Sequence, residues 1–163
     1  MAGNIAQGAN GRIFDVKNFN KSDWEYLDNS DCIVFGCPTY MGNVSSALKF
    51  FMEETGSRWF NQDWKDKIAG GFTSASHTSG DKLNVLTSIT IFATQHSMIW
   101  VGSGDTPSDD EQEINRMGSH LGVMAAAKTQ NGVKQIVEGD LLTCLNYGKR
   151  LLKVTKKLRG ENV

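Results

Sequence analysis

The stretch Asp31-Cys-Ile-Val-Phe-Gly-Cys-Pro-Thr-Tyr-Met-Gly-Asn-Val-Ser-Ser-Ala-Leu-Lys-Phe-Phe-Met-Glu-Glu-Thr-Gly56 constrains the fold more than any other part of the chain. Cys32 to Gly36 is a continuous apolar run, the pattern of a parallel strand covered on both faces. A sharp loop of small residues follows, and then an amphipathic helix. Ser45 or Ser46 caps that helix, Ala47, Leu48, Phe51 and Met52 stripe it, and Gly56 ends it. In open α/β sheets, ligands bind outside the carboxyl ends of strands, where this loop lies. The loop offers backbone amides, the aromatic plane of Tyr40, the thioether of Met41, and Gly42, which lets a ligand approach the main chain. Those parts suit a flat heteroaromatic ring with polar edges.

The rest of the chain alternates in the same way. Met1 to Ala9 reads as the end of a helix stopped by Asn10-Gly11. Arg12 to Val16 reads as a short strand, and Ser22 to Leu27 as a short helix with Ser22 as its cap. Ile68 to Thr73 is a strand whose two glycines allow close packing. Ser74 to Asp81 is a loop rich in Ser, Gly and His. Leu83, Leu86, Ile89, Phe92 and Ala93 fit a helix, although the β-branched residues there make a strand its competitor. Met98 to Val101 is a strand, Asp105 to Glu113 a solvated acidic loop, and Asn115 to Lys134 irregular. Asp140 caps a last helix with Leu141, Cys144, Leu145, Gly148, Leu151, Leu152 and Thr155 on one face. Strands alternating with helices give a parallel α/β sheet, wound right-handed.

At 163 residues the chain is expected to form one domain, residues 1–163. A formal net charge of -1 provides no field to steer it toward nucleic acid or an anionic membrane. Cys32 and Cys37 lack a metal or redox spacing, and with Cys144 they read as reduced thiols of a cytoplasmic protein. No apolar run reaches the ~18 residues that span a bilayer. The histidines show no metal-ligand spacing, so no metal is expected.

Three segments resemble one family, the flavodoxin-like NAD(P)H:quinone oxidoreductases of the tryptophan-repressor-binding-protein type. They are Phe35-Gly-Cys-Pro-Thr-Tyr-Met-Gly-Asn43, Gly71-Phe-Thr-Ser-Ala-Ser-His-Thr-Ser-Gly80, and Asn115-Arg-Met-Gly-Ser-His-Leu-Gly-Val-Met124 with Glu138-Gly-Asp140. The resemblance implies a three-layer α/β/α flavodoxin-like fold with FMN as cofactor and NAD(P)H as reductant. By position, Pro38, Thr39, Tyr40, Met41, Gly42 and Asn43 should border the flavin ring. Ser74, Ala75, Ser76, His77, Thr78 and Gly80 should wrap its other side. His96 falls where the family often places a catalytic histidine near the pyrimidine edge. The implied reaction passes two electrons to a quinone-like acceptor, and the implied assembly is a homodimer or homotetramer.

The chain departs from the family at its start. Met1 to Ala9 aligns with the second half of the first helix, so the N-terminal strand 1 and the Ser/Thr/Gly phosphate loop are missing. That leaves a slot about 10 Å wide in the sheet, twice the ~4.8 Å strand spacing, and it removes a phosphate nest. Residues 1–163 alone are therefore expected to bind FMN weakly or not at all, and to associate through open strand edges. Two rivals follow: a flavodoxin-type electron carrier, and a non-catalytic flavodoxin-fold module that has lost FMN binding.

Overall fold

The computed structural model describes residues 1–108, 112–130 and 133–161. Helix α1 (Ala2–Ala9) ends at Asn10 in the left-handed conformation, φ 51°. Helix α2 (Lys21–Asn29) starts one residue earlier than expected because Asn20, not Ser22, caps it, in a reciprocal capping box with Asp23. Strand β1 (Cys32–Pro38) leads into α3 (Ser46–Glu54), where the Ser45 hydroxyl accepts from Leu48 N–H. A short α4 (Gly56–Asn61) follows. Then come β2 (Ile68–Ala75), α5 (Lys82–Gln95), β3 (Ile99–Trp100), β4 (Val123–Gln130), β5 (Val133–Ile136) and α6 (Glu138–Leu158). No helix among the described residues is long and apolar enough to cross a membrane.

The sheet order is β1-β2-β4-β5, with β3 also on β2. All pairs are parallel except the β4–β5 hairpin. Helices cover both faces. On one side α2, α3 and α5 pack Leu27, Leu48, Phe51, Val85 and Ile89 over Ile33 and Phe35 of β1. On the other, α1 and α6 contribute Ile5, Cys144, Tyr147 and Leu151 over Ile68 and Val123. Of the residues expected on these faces, Leu83 is 60% exposed and Leu145 only half-buried. The last helix turns toward the sheet through Tyr147 instead.

Tyr147 closes a break in β2's second ladder. β3 pairs with Ile68 and Ala69, whereas β4 pairs from Phe72 onward. Gly70 and Gly71 face the gap between them. The Tyr147 hydroxyl accepts from Gly71 N–H at 3.1 Å and donates to Val101 C=O at 2.5 Å. A Cβ on Gly70 would lie 2.4 Å from that hydroxyl, so only glycine admits the phenol.

Two expected features differ. The Asn115 to Lys134 stretch, read as irregular, contains β4 and the start of β5, because β2 offers an open ladder above Phe72. Residues 131–132 of it, and residues 109–111 of the expected acidic loop, lie outside the described residues. Arg12 to Val16, read as a strand, forms none; only a 3-10 turn appears, at Val16–Asn18. A strand there has no ladder to join. Ile68 N–H donates to Asp31 C=O and Thr39 N–H donates to Ser74 C=O, so the odd-numbered residues of β1 face β2. The amides and carbonyls of Cys32, Val34 and Gly36 then face away, with no partner among the described residues. Beside them runs a trough of about 280 Å³, walled by Ile5 and Ala9 on one side and Phe14, Phe19 and Leu27 on the other. The trough lies along the unpaired side of β1, where the sequence reading expected a slot.

Candidate functional site

Two loops leave the carboxyl ends of the neighbouring strands β1 and β2 and are tied together where they leave. Thr39 N–H donates to Ser74 C=O at 2.8 Å. Thr73 Oγ1 donates to Cys37 C=O at 2.8 Å. That uses its only proton, so in the 2.8 Å contact between the two threonine hydroxyls Thr39 is the donor. The parallel ladder sets the Thr73 side chain beside the Cys37 carbonyl by bringing the two residues into register.

Beyond Thr39 the chain reverses in a tight turn. Tyr40 and Asn43 exchange both backbone hydrogen bonds, at 2.9 and 2.8 Å. Met41 and Gly42 both take positive φ, 46° and 73°, the geometry of a mirror-image hairpin turn. Gly42 adopts it freely. Met41 adopts it at a steric cost and is fully exposed at the tip. Asn84 of α5 fixes the turn through its amide to Gly42 C=O, at 2.8 Å. Tyr40 is 66% exposed, and its ring is free to face a ligand.

The second loop, residues 76–81, carries the exposed Ser76, His77 and Thr78. Gly80 and Asp81 take consecutive left-handed φ values of 55° and 54°, which fold the chain back into α5. Its underside rests on Lys82, which is 1% exposed and donates to His77 C=O and Thr78 C=O, each at 2.6 Å. Nearby, Asp140 accepts from Arg116 at 2.8 Å and from Ala126 N–H at 3.0 Å, a buried ion pair at the carboxyl end of the sheet. Asp140 is thus the anchor of a buried network, not the expected helix cap; Val137 occupies the cap position of α6.

Pro38, Thr39, Tyr40, Met41, Gly42 and Asn43 therefore stand beside Ser74, Ala75, Ser76, His77, Thr78 and Gly80. His96 does not join them. It caps the far end of α5, about 21 Å along a 14-residue helix at 1.5 Å per residue. It is 2% exposed, with its ring 4.8 Å from that of Trp64 and 4.9 Å from that of Phe92. The Thr55 hydroxyl donates to Met52 C=O, so His96 Nε2 must donate to Thr55, at 2.9 Å. Its Nδ1 is buried without a partner among the described residues. Burial, with Arg58 adding repulsion, pushes the imidazole pKa down. Within one chain His96 is a core residue set apart from the two loops.

Lys82, Asn84 and the Arg116–Asp140 pair were not read from the sequence. Asn84 had one available signal, its place in the first turn of the helix that follows the second loop. The burial of Lys82 had none.

The ring end of a flavin finds matching parts here: a glycine at positive φ in a turn tip, exposed main chain on two adjacent loops, and an exposed tyrosine. Comparison with known proteins agrees. Residues 15–111 match the family model described as NADPH-dependent FMN reductase. The chain is 32% identical to "Flavodoxin FldP" of Pseudomonas aeruginosa over 162 residues, covering 95% of this chain and 88% of that one. It is 34% identical to an "NAD(P)H dehydrogenase (quinone)" of Archaeoglobus fulgidus over 88% of this chain and 69% of the relative. Among solved structures, a flavodoxin, WrbA-like protein from Agrobacterium tumefaciens superposes with a TM-score of 0.78 at 33% identity, covering 96% of this chain and 87% of the other. The chain belongs to the NADPH-dependent FMN reductase family, among the flavodoxin-like NAD(P)H:quinone oxidoreductases, whose chemistry runs through FMN and NAD(P)H.

Proposed function

We propose that this chain, as one domain, is an FMN-dependent NAD(P)H oxidoreductase that passes two electrons to a quinone-like acceptor. The observation that carries the reading is the pair of tied loops, with a strained, fully exposed tip at Met41 and exposed Tyr40 beside it. When bound, FMN supplies the redox chemistry, and the chain supplies placement and electrostatics. Thr39 to Asn43 border one edge of the ring and Ser74 to Gly80 the other. Thr39 and Thr73 hold the two loops at a fixed separation. With Met41 and Tyr40 exposed, a ring held between the loops would be reached by reductant and acceptor in turn, which would give ping-pong kinetics. A cytoplasmic location is part of the same reading, supported by three free thiols, as is a homodimer or homotetramer.

A flavodoxin-type carrier is the second reading, favoured by the likeness to the protein named Flavodoxin FldP. Stopped-flow mixing of the flavin-loaded chain with NADH or NADPH, with no other protein present, separates them. Loss of the oxidised flavin band, restored by a quinone, supports the enzyme. No loss without an added reductase supports the carrier.

A further inference from the structure

A lysine that is 1% exposed is rare, and among the described residues no carboxylate is within hydrogen-bond distance of it. Lys82 Nζ instead meets two consecutive carbonyls, those of His77 and Thr78, at 2.6 Å each. The charged groups facing it from other elements are Asp140 on α6, which favours the ammonium, and Arg116, which opposes it. Asp140 outweighs Arg116 but, among the described residues, does not touch the ammonium, and the groups in hydrogen-bond contact with it are the two loop carbonyls.

Peptide planarity gives this contact a consequence on the opposite side of the loop. In a trans peptide the C=O of one residue and the N–H of the next point in opposite directions, and no peptide here is cis. With His77 C=O and Thr78 C=O drawn inward, Thr78 N–H and Ser79 N–H point outward. Both residues are exposed, and neither amide has a hydrogen-bond acceptor among the described residues. Two adjacent outward amides form a donor pair for an acceptor-rich edge. Gly80 makes the geometry possible: its φ is 55°, and a Cβ there would lie 3.0 Å from that of Ala75.

Resting on the flavin reading, we propose that Lys82 is a positioning residue: from beneath the loop it aims the Thr78 and Ser79 amides at the pyrimidine edge of the flavin. Its positive charge, transmitted along those peptide dipoles, also favours a ring edge that has gained negative charge on reduction.

The test uses Lys82→Met, which keeps the apolar stem, and Lys82→Gln, which keeps a donor without the charge. Three quantities are read: FMN affinity by flavin fluorescence, amide exchange of residues 76–81 in the flavin-free chain, and the midpoint potential of bound FMN. Lys82→Met should weaken FMN binding at least about tenfold, the equivalent of ~1.4 kcal/mol, and speed exchange across the loop while Ile33 and Phe35 stay protected. Lys82→Gln should recover most of the binding, yet share a more negative potential with Lys82→Met. If Lys82→Met does not fold, the potential and exchange of Lys82→Gln decide. Unchanged affinity, exchange and potential in the variants, with FMN bound measurably by the wild type, overturn the role of Lys82 alone. No FMN binding by the wild type overturns the flavin reading and this role with it.

Discussion

At the scale of single residues, polar side chains with no water to turn to hold this protein's sheet and loops in place. Tyr147 is fully buried, and its hydroxyl serves two backbone groups that no strand reaches, Gly71 N–H and Val101 C=O. Burial pushes its pKa up, so it stays protonated and able to donate. Tyr147→Phe keeps the ring and orphans both groups. At about 1–3 kcal/mol for each buried unsatisfied group, the variant should lose stability well above ~1 kcal/mol, measured by urea unfolding. A loss below ~0.5 kcal/mol, the range of surface sites, would show that water or a backbone shift satisfies them. Tyr147 and Lys82 escaped the sequence reading for one reason. Whether a polar side chain is buried depends on its partners, and Tyr147's lie 76 and 46 residues away in the chain. Leu151, fully buried, needed only its helical spacing to be found.

At the scale of elements, helices were easier to read than strands because a helix satisfies itself and a strand does not. The stop of α1 at Asn10 and the Ser45 cap of α3 are local devices, and both were legible. Val123 to Gln130 becomes a strand because β2 has an open ladder above Phe72. Arg12 to Val16 does not, because its neighbouring slot holds no strand. The open side of β1 has a direct consequence for amide exchange. Amides of Ile33, Phe35 and Cys37 donate to β2, whereas those of Cys32, Val34 and Gly36 face the trough. Exchange should therefore alternate along β1, with Val34 much faster than Ile33 and Phe35. Equal protection of all would mean that another segment or another copy pairs with this edge.

Helix α5 has a site at one end and a pH-sensitive joint at the other. The His96 pKa is pushed below its ordinary value of 6.5 by burial, then by Arg58. The unfolded chain therefore takes up a proton at a pH where the folded chain does not. Stability is full above pH 6.5, falls as the pH drops through it, and levels off once the folded imidazole also protonates. His96→Leu should flatten that part of the pH–stability profile in thermal melts between pH 7 and 5. An unchanged slope would place the titrating group elsewhere.

At the scale of the whole molecule, the two ends of the sheet have different work. The amino end is bound by the Asp28 carboxylate, which takes a bidentate contact from Arg58 and a third bond from Trp64. The carboxyl end carries the tied loops, where the residues proposed to border the ring, Pro38 to Asn43 and Ser74 to Gly80, stand side by side. The first loop was legible because small residues after an apolar strand mark a ligand loop, whereas the second was placed only by the family resemblance. The trough beside β1 is a second apolar hollow, far enough along the sheet to compete for a flat ligand. Titrating the isotope-labelled chain with FMN, and following every backbone amide by NMR, distinguishes the two. Shifts should concentrate at Thr39 to Asn43 and Ser74 to Gly80, largest at Met41, Gly42, Thr78 and Ser79, and leave Cys32 and Val34 unmoved. Shifts centred on Cys32, Val34 and Phe14, with the two loops silent, would contradict the assignment of the flavin to the carboxyl end of the sheet.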